Sequence, residues 1–253
     1  MNVVLLAGGL GTRLSEYTHE TPKPMVNIGN YPILIHIMNN YVKHGHKDFY
    51  IAMGYKFELI IKYFFGDEFN NEYLSKEIIK IKDYKNKLLN SDVNISLVNT
   101  GLDTMTGGRL KRLEKYIDSE NFLLTYGDGL SNVNISELVN FHSENNKIAT
   151  LTAVHPPAQF GELQLKGNEV VLFEEKPEMM KRSWINGGFF IFNKKIFSFI
   201  NGDHIMLERQ PLEELSKARE LLAFKHEGFW QCMDNKRDRD YLEKIIKSNK
   251  ILW

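Results

Sequence analysis

The stretch Val3-Val4-Leu5-Leu6-Ala7-Gly8-Gly9-Leu10-Gly11-Thr12-Arg13-Leu14 decides the fold. An apolar run ends in closely spaced glycines, and the chain then resumes toward a helical segment. That pattern reads as a first strand feeding a glycine-rich turn, and such a turn can present backbone N–H groups to phosphate oxygens. Arg13, directly behind the turn, supplies a positive charge to the same place. The turn is not the dinucleotide-binding fingerprint, because Leu14 follows Gly9-x-Gly11 and Gly54 rather than an acidic residue follows the second strand. Nor is it a P-loop, since no Gly-Lys-Ser/Thr is present.

Outward from this turn, strand-like runs recur at Val3–Leu6, Phe49–Met53, Val93–Val98, Phe122–Tyr126 and Thr150–Val154. Helical patterns at Ile33–His44, Phe57–Phe65, Arg109–Ile117 and Ile135–Asn145 lie between them. The alternation predicts an α/β fold with a doubly wound, largely parallel sheet. The helix after Tyr31 shows the local logic. Pro32 suits its first turn, Ile33, Leu34, Ile37, Met38, Tyr41 and Val42 form an apolar stripe, and Gly45 can end it. After Val154 the pattern changes to short strands at Leu163–Lys166, Val170–Phe173 and Gly188–Phe192, with few helices before Glu208–Glu220. A core over 1–154 is therefore expected to carry a smaller C-terminal lobe with mixed pairing over 155–253. Residues 66–92, rich in Lys and Asn, read as a helical or irregular excursion on the surface.

Composition bounds the partners. The 253 residues carry 32 Lys+Arg and 32 Asp+Glu, a formal net charge of zero, so nothing draws the chain toward nucleic acid or acidic lipid. An anionic ligand must instead be held by a few local cations. Cys232 is the single cysteine, which excludes an intrachain disulfide and a multi-Cys zinc site and suits a reducing, cytoplasmic setting. The apolar start lacks a basic flank, so no targeting segment is expected, and no run approaches the roughly 18 residues of a membrane span.

Four residues outside the turn carry chemistry. Lys23-Pro24 and Lys176-Pro177 each place a lysine before proline, on extended backbone, as a point charge on a flexible stem. Two phosphate-bearing substrates would need two such handles; a solvated turn lysine is the plain alternative for each. Asp128, in Tyr126-Gly127-Asp128-Gly129, ends an apolar strand where a doubly wound sheet binds its ligands, or is simply a turn aspartate. Asp234 closes a second apolar run. Two carboxylates with phosphate oxygens make the usual Mg²⁺ site. Asp238-Arg239-Asp240 imitates the Asp-x-Asp of metal-dependent glycosyltransferases but lies in a charged stretch and reads as a solvated helix face. The eight histidines show no zinc spacing, and no Gly-x-Ser-x-Gly elbow is present.

Leu6–Leu14 followed by Pro22-Lys23-Pro24-Met25 resembles the opening signature of the sugar-1-phosphate nucleotidylyltransferases. The run Thr100-Gly101-Leu102-Asp103-Thr104-Met105-Thr106-Gly107-Gly108-Arg109-Leu110-Lys111-Arg112 is similar to the branch that makes CDP-glucose. So are Thr125–Gly129, Ile185-Asn186-Gly187-Gly188-Phe189-Phe190 and Gly228–Asp234. The resemblance spans nearly the whole chain and weakens over 66–92. It implies a Rossmann-like nucleotidyltransferase fold as a single domain, with the nucleotide held by the 1–154 core and the sugar phosphate on the C-terminal side. It further implies that Leu6, Ala7, Gly8, Gly9, Gly11, Thr12, Arg13, Lys23 and Gly127 form the nucleotide site. Thr104 and Arg109 would complete that site, in related assemblies from a neighbouring subunit, since relatives form homo-oligomers. Asp128 and Asp234 would hold Mg²⁺, while Glu175, Lys176, Asn186 and Gly187 would bind the sugar phosphate. Arg13, Lys23 and Lys176 would be the catalytic cations. The chain departs from the usual family residues at Asn27, Asn30, Ile35 and Gln159-Phe160-Gly161-Glu162.

The implied reaction joins CTP and α-D-glucose 1-phosphate to give CDP-glucose and pyrophosphate. A pyrophosphorylase using UTP or dTTP, or acting on another sugar phosphate, is the near rival. A glycosyltransferase that consumes a nucleotide sugar, with an Asp-x-Asp at a strand end, is the rival of another class.

Overall fold

A computed structural model describes residues 1–156, 161–175, 183–248 and 251–253. An eight-stranded sheet runs in the order Leu221–Lys225, Ala149–Val154, Ile185–Asn193, Asn121–Tyr126, Val3–Ala7, Asp48–Met53, Val93–Asn99, Ile78–Tyr84. Six of these strands point one way, and Ile185–Asn193 and Ile78–Tyr84 run against their neighbours. The sheet is thus mixed and mostly parallel, as the alternating pattern predicts.

Strand Val3–Ala7 is buried throughout, and its side chains divide between two cores. Val3, Leu5 and Ala7 pack with helices Ile33–Lys43, Phe57–Phe65 and Ile135–Asn145 through residues such as Leu34, Ile60 and Leu138. Val4 and Leu6 face the other layer, where Leu110, Leu113, Phe197, Leu212 and Leu215 close the core. An apolar run with no polar alternation is what a strand covered on both faces requires. Local signals place the helix ends. Asn134 accepts from Glu137 N at 3.1 Å to start one helix, and Asn146, at φ 47, ends it in the left-handed region.

The chain leaves Val3–Ala7 between two parallel neighbours, Asp48–Met53 on one side and Asn121–Tyr126 on the other. The chain fills the Asp48–Met53 side of the sheet first and the Asn121–Tyr126 side afterwards, so the carboxyl end of Val3–Ala7 is the topological switch point of the sheet, where a crevice forms.

Two expectations need correction. Residues 78–84, placed in a surface excursion, form an edge strand antiparallel to Val93–Asn99. Ile79 is buried while Lys80, Lys82 and Asp83 are exposed, so the charges that disguised the strand lie on the open side of the sheet edge, where they deter pairing with other chains. Two strands of the expected C-terminal lobe, Ile185–Asn193 and Leu221–Lys225, instead extend the central sheet beside Ala149–Val154. Glu162–Lys166 and Glu169–Glu174 stand apart, as a two-stranded ribbon whose Leu165, Val170 and Phe173 are exposed, and Trp230–Cys232 pairs with Gly129–Ser131 outside the central sheet. The helices expected at Arg109–Ile117 and Glu208–Glu220 are shorter, at Thr106–Arg112 and Gln210–Lys217.

Candidate active site

A cleft of about 570 Å³ opens at the carboxyl end of strand Val3–Ala7, bounded by the glycine turn, Thr104–Thr106, Tyr126–Gly129, Asn186–Gly188 and the 230–234 segment. Leu6, Ala7, Gly8, Gly9, Gly11, Thr12, Arg13, Lys23, Thr104, Arg109, Gly127, Asn186 and Gly187, separated by up to 181 positions in sequence, all line it. So do Asp128 and Asp234.

The turn is glycine-rich for two separate reasons. Gly11 sits at φ +64, and a Cβ there would stand 2.8 Å from Thr18 Cγ2. A Cβ on Gly8 would stand 2.4 Å from Arg109 Nη1, while one on Gly9 would meet nothing within 4 Å. Gly9 therefore leaves the ligand side of the turn open. Arg109 lies beneath the turn. Its Nη2 donates to Gly8 O at 2.8 Å and Leu102 O at 3.0 Å, and its Nη1 to Thr100 Oγ1, Met53 O and Gly101 O. Burial, helped by nearby Arg112, pushes its pKa down to about 10. Expected in the nucleotide site, Arg109 lines the cleft and turns these donors to oxygens of its own chain, as a brace under the turn. Thr104 reaches the same cleft from the same chain.

The charged centre lies across from the turn. Lys23 Nζ donates to Asp128 Oδ2 and to Asp234 Oδ1, each at 2.7 Å, and Arg13 Nη1 donates to Asp234 Oδ2 at 2.7 Å. Burial opposes the charge on Lys23, yet Asp128 foremost, with Asp234, outweighs it and holds the ammonium's pKa raised. Burial likewise opposes the Asp234 carboxylate, and Lys23 and Arg13 overcome it and keep its pKa low. The thiol of Cys232 is pushed well up by burial and by Asp128, and so stays neutral.

The carboxylate pair fits a divalent cation. Ligand atoms of Asp128, Asp234 and Cys232 all lie within 4.8 Å of one another, and the two carboxylates converge on a single positive point, the Lys23 ammonium. Hard oxygen donors from two side chains, opening into the cleft, suit Mg²⁺. The Asp-x-Asp imitation has no such setting. Asp238 Oδ2 accepts from Asp234 N and Asn235 N as part of a helix capping box, and Asp240 pairs with Lys236.

On the far side, Asn186 Oδ1 accepts from Gly188 N at 2.9 Å, and Gly187 O accepts from Trp230 Nε1 at 2.8 Å. Three cleft residues not anticipated from sequence join there. Tyr126 Oη and Thr106 Oγ1 each donate to Glu208, at 2.6 Å. Burial, then Glu208, drives the Tyr126 phenol well up, which keeps it a neutral donor. Tyr126 adjoins the quoted Gly127-Asp128, so its place was legible; nothing around Glu208 marks it. Glu175 follows the exposed ribbon and is not among the residues lining the cleft. Lys176 lies outside the described residues.

Comparison with known proteins agrees with this geometry. The nucleotidyl transferase family model matches residues 2–237. The chain is 45% identical over 257 aligned residues to the glucose-1-phosphate cytidylyltransferase of Salmonella typhimurium, covering 100% of this chain and 98% of that protein. The structure of HddC from Yersinia pseudotuberculosis complexed with GMP-PN superposes with a TM-score of 0.69 at 25% identity, over 97% of this chain and 99% of that one. UDP-glucose pyrophosphorylase complexed with UDP-glucose shares the fold, with a TM-score of 0.70 at 14% identity over 98% of each chain. Family match, full-length relatives and a charged cleft at the switch point lead to one assignment: the chain belongs to the nucleotidyl transferase family and, within it, to the family of glucose-1-phosphate cytidylyltransferases.

Proposed function

We propose that the protein transfers the cytidylyl group of CTP to α-D-glucose 1-phosphate, giving CDP-glucose and pyrophosphate. The observation that carries this reading is the convergence of Lys23, Asp128 and Asp234 at 2.7 Å contacts opposite an open glycine turn, in a chain 45% identical to a cytidylyltransferase.

The glycine turn and Thr12 offer backbone and hydroxyl donors to the triphosphate, with Arg13 and Lys23 supplying positive charge. Asn186 and Gly187 lie on the sugar-phosphate side, with Lys176 and Glu175 assigned there on sequence grounds. A phosphate oxygen of the sugar phosphate attacks the α-phosphorus in line. The new P–O bond joins the two substrates while the bond to the β-phosphate oxygen breaks, and pyrophosphate leaves with that electron pair. No side chain is acylated or phosphorylated, so the protein's contribution is positioning and charge neutralisation. Mg²⁺ held by Asp128 and Asp234 would supply further neutralisation of the phosphate oxygens when bound.

Among the described residues no helix is long and apolar enough to cross a membrane, and the single cysteine suits the cytoplasm. The exposed Leu165, Val170 and Phe173 of the ribbon support assembly as a homo-oligomer. Pyrophosphate release over a grid of triphosphates and sugar 1-phosphates tests the activity. CTP with glucose 1-phosphate and Mg²⁺ is expected to turn over fastest. Equal rates with UTP and dTTP would remove the cytidylyl assignment, and CTP breakdown without a sugar phosphate would remove the transferase.

A further inference from the structure

Lys23 occupies the point between two carboxylates that a cation bound by both would take. Its side chain is 9% exposed, and its ammonium is 2.7 Å from Asp128 Oδ2 and 2.7 Å from Asp234 Oδ1. A dication bound by both carboxylates would take the point that the ammonium holds, and the two charges repel each other, so they compete for that place. The backbone at Lys23 is fixed. Met25 N donates to Pro22 O at 2.7 Å, Val26 N donates to Lys23 O at 3.2 Å, and Pro24 packs so closely on Gly127 that a Cβ there would stand 2.8 Å from Pro24 Cγ. Only the flexible stem can move the charge. That stem starts beside the glycine turn, where a Cβ on Gly11 would lie 3.1 Å from Lys23 Cβ. A rotation of the stem can therefore carry the ammonium from the carboxylates toward the glycine turn.

We propose that the Lys23 ammonium and the divalent cation are alternative occupants of the Asp128–Asp234 pair, so that the free protein excludes metal and the nucleotide brings it. The triphosphate arrives carrying its own dication, gives that dication to the carboxylates, and takes the released ammonium onto its phosphates. Arg13, at 2.7 Å from Asp234 Oδ2, keeps that carboxylate oriented while Lys23 leaves. This exchange rests on the reading of the carboxylate pair as the metal site.

Mn²⁺ binding, followed by the loss of its free-ion paramagnetic resonance signal, tests the exchange without turnover. In the absence of nucleotide, Lys23→Met is expected to bind Mn²⁺ about 10- to 100-fold more tightly than wild type, the range set by removing a charge-assisted competitor. Lys23→Arg, which keeps the cation, should stay near wild type, and adding Asp234→Asn to Lys23→Met should abolish the gain. Lys23→Gln, a neutral polar side chain, should gain in the same direction if the methionine variant does not fold. With a CTP analogue whose α,β-bridging oxygen is replaced by methylene, wild type should bind Mn²⁺ beyond the share that the analogue chelates by itself, and Asp128→Asn and Asp234→Asn should each lose that protein-held Mn²⁺. Retention of Mn²⁺ in both of those variants would remove the metal reading and the exchange with it. Loss there, with wild type binding Mn²⁺ without nucleotide as tightly as Lys23→Met and Lys23→Gln, would overturn the exchange alone.

Discussion

Replacing Arg109 with methionine separates a brace from a ligand. Of the oxygens its guanidinium serves, Gly8 O also accepts from Tyr55 N, and Met53 O from Thr100 N and Oγ1. Gly101 O and Leu102 O depend on Arg109 for the bonds described above. Each carbonyl left without a donor costs roughly 1–3 kcal/mol, and relief from holding a charge away from water offsets part of that, so a net loss of about 2–4 kcal/mol follows. For a chain of this size that is about 4–16 °C in Tm. The loop carrying Gly8 and Gly9 loses its support in the same step, so CTP affinity should fall only modestly, about 10-fold or less. Urea unfolding and calorimetric CTP titration of the same preparations measure both. A variant as stable as wild type that has lost CTP binding more than about 100-fold would place Arg109 on the nucleotide and refute the brace.

Further outcomes follow from the same geometry. Asp128→Asn and Asp234→Asn should each lower turnover by about 10²–10³ with the fold intact, seen in steady-state kinetics. Lys23→Ala should weaken CTP binding in calorimetry, while Lys176→Ala leaves it near wild type and raises the requirement for sugar phosphate at saturating CTP; the reverse ranking would exchange the two handles. Gly188→Ala should destabilise the protein in thermal melts, because Gly188 is at φ +81 and its Cβ would lie 2.6 Å from Tyr126 Cδ2. Asp234, its folded pKa lowered, stabilises the fold above the ordinary carboxylate value near ~4, and that contribution is lost as pH falls through the folded value. Lys23, its pKa raised, contributes below its ordinary value and loses that contribution as pH rises through the folded one. The stability gap between wild type and Asp234→Asn should therefore be flat across neutral pH and shrink in acid, as denaturant titrations at several pH values will register.

The parts of the molecule legible in the sequence are those where one physical requirement fixes the residue pattern. Helices Phe57–Phe65 and Ile135–Asn145 carry a continuous apolar stripe and their bounds match the pattern. Strand Val3–Ala7 must be apolar on both faces, and its glycine turn must avoid Arg109 and adopt a positive φ. Strand Ile78–Tyr84 was hidden because half of its side chains point to solvent at a sheet edge, where Lys and Asp are permitted. The membership of Ile185–Asn193 in the central sheet was hidden for a different reason. It returns antiparallel after the ribbon, a long-range pairing that no local pattern records. At the site, Lys23, Asp128 and Asp234 were marked by proline, glycine and the ends of apolar runs. Glu208 was not, since its importance comes from Tyr126 and Thr106 meeting it across distances of 82 and 102 residues. The pairing of Lys23 with both aspartates is equally a product of folding, not of spacing.

Everything at this cleft serves one bond, between the α-phosphorus of CTP and an oxygen of the sugar phosphate. Glucose 1-phosphate labelled with ¹⁸O at the oxygen joining C1 to phosphorus, incubated with CTP, Mg²⁺ and the protein and followed by ³¹P NMR, tests it most directly. CDP-glucose should accumulate with the label retained between C1 and the β-phosphorus, while the pyrophosphate carries none. Release of the label as inorganic phosphate, or a nucleotide product lacking it, would mean that the C1–O bond breaks and that no phosphate oxygen of the sugar attacks CTP.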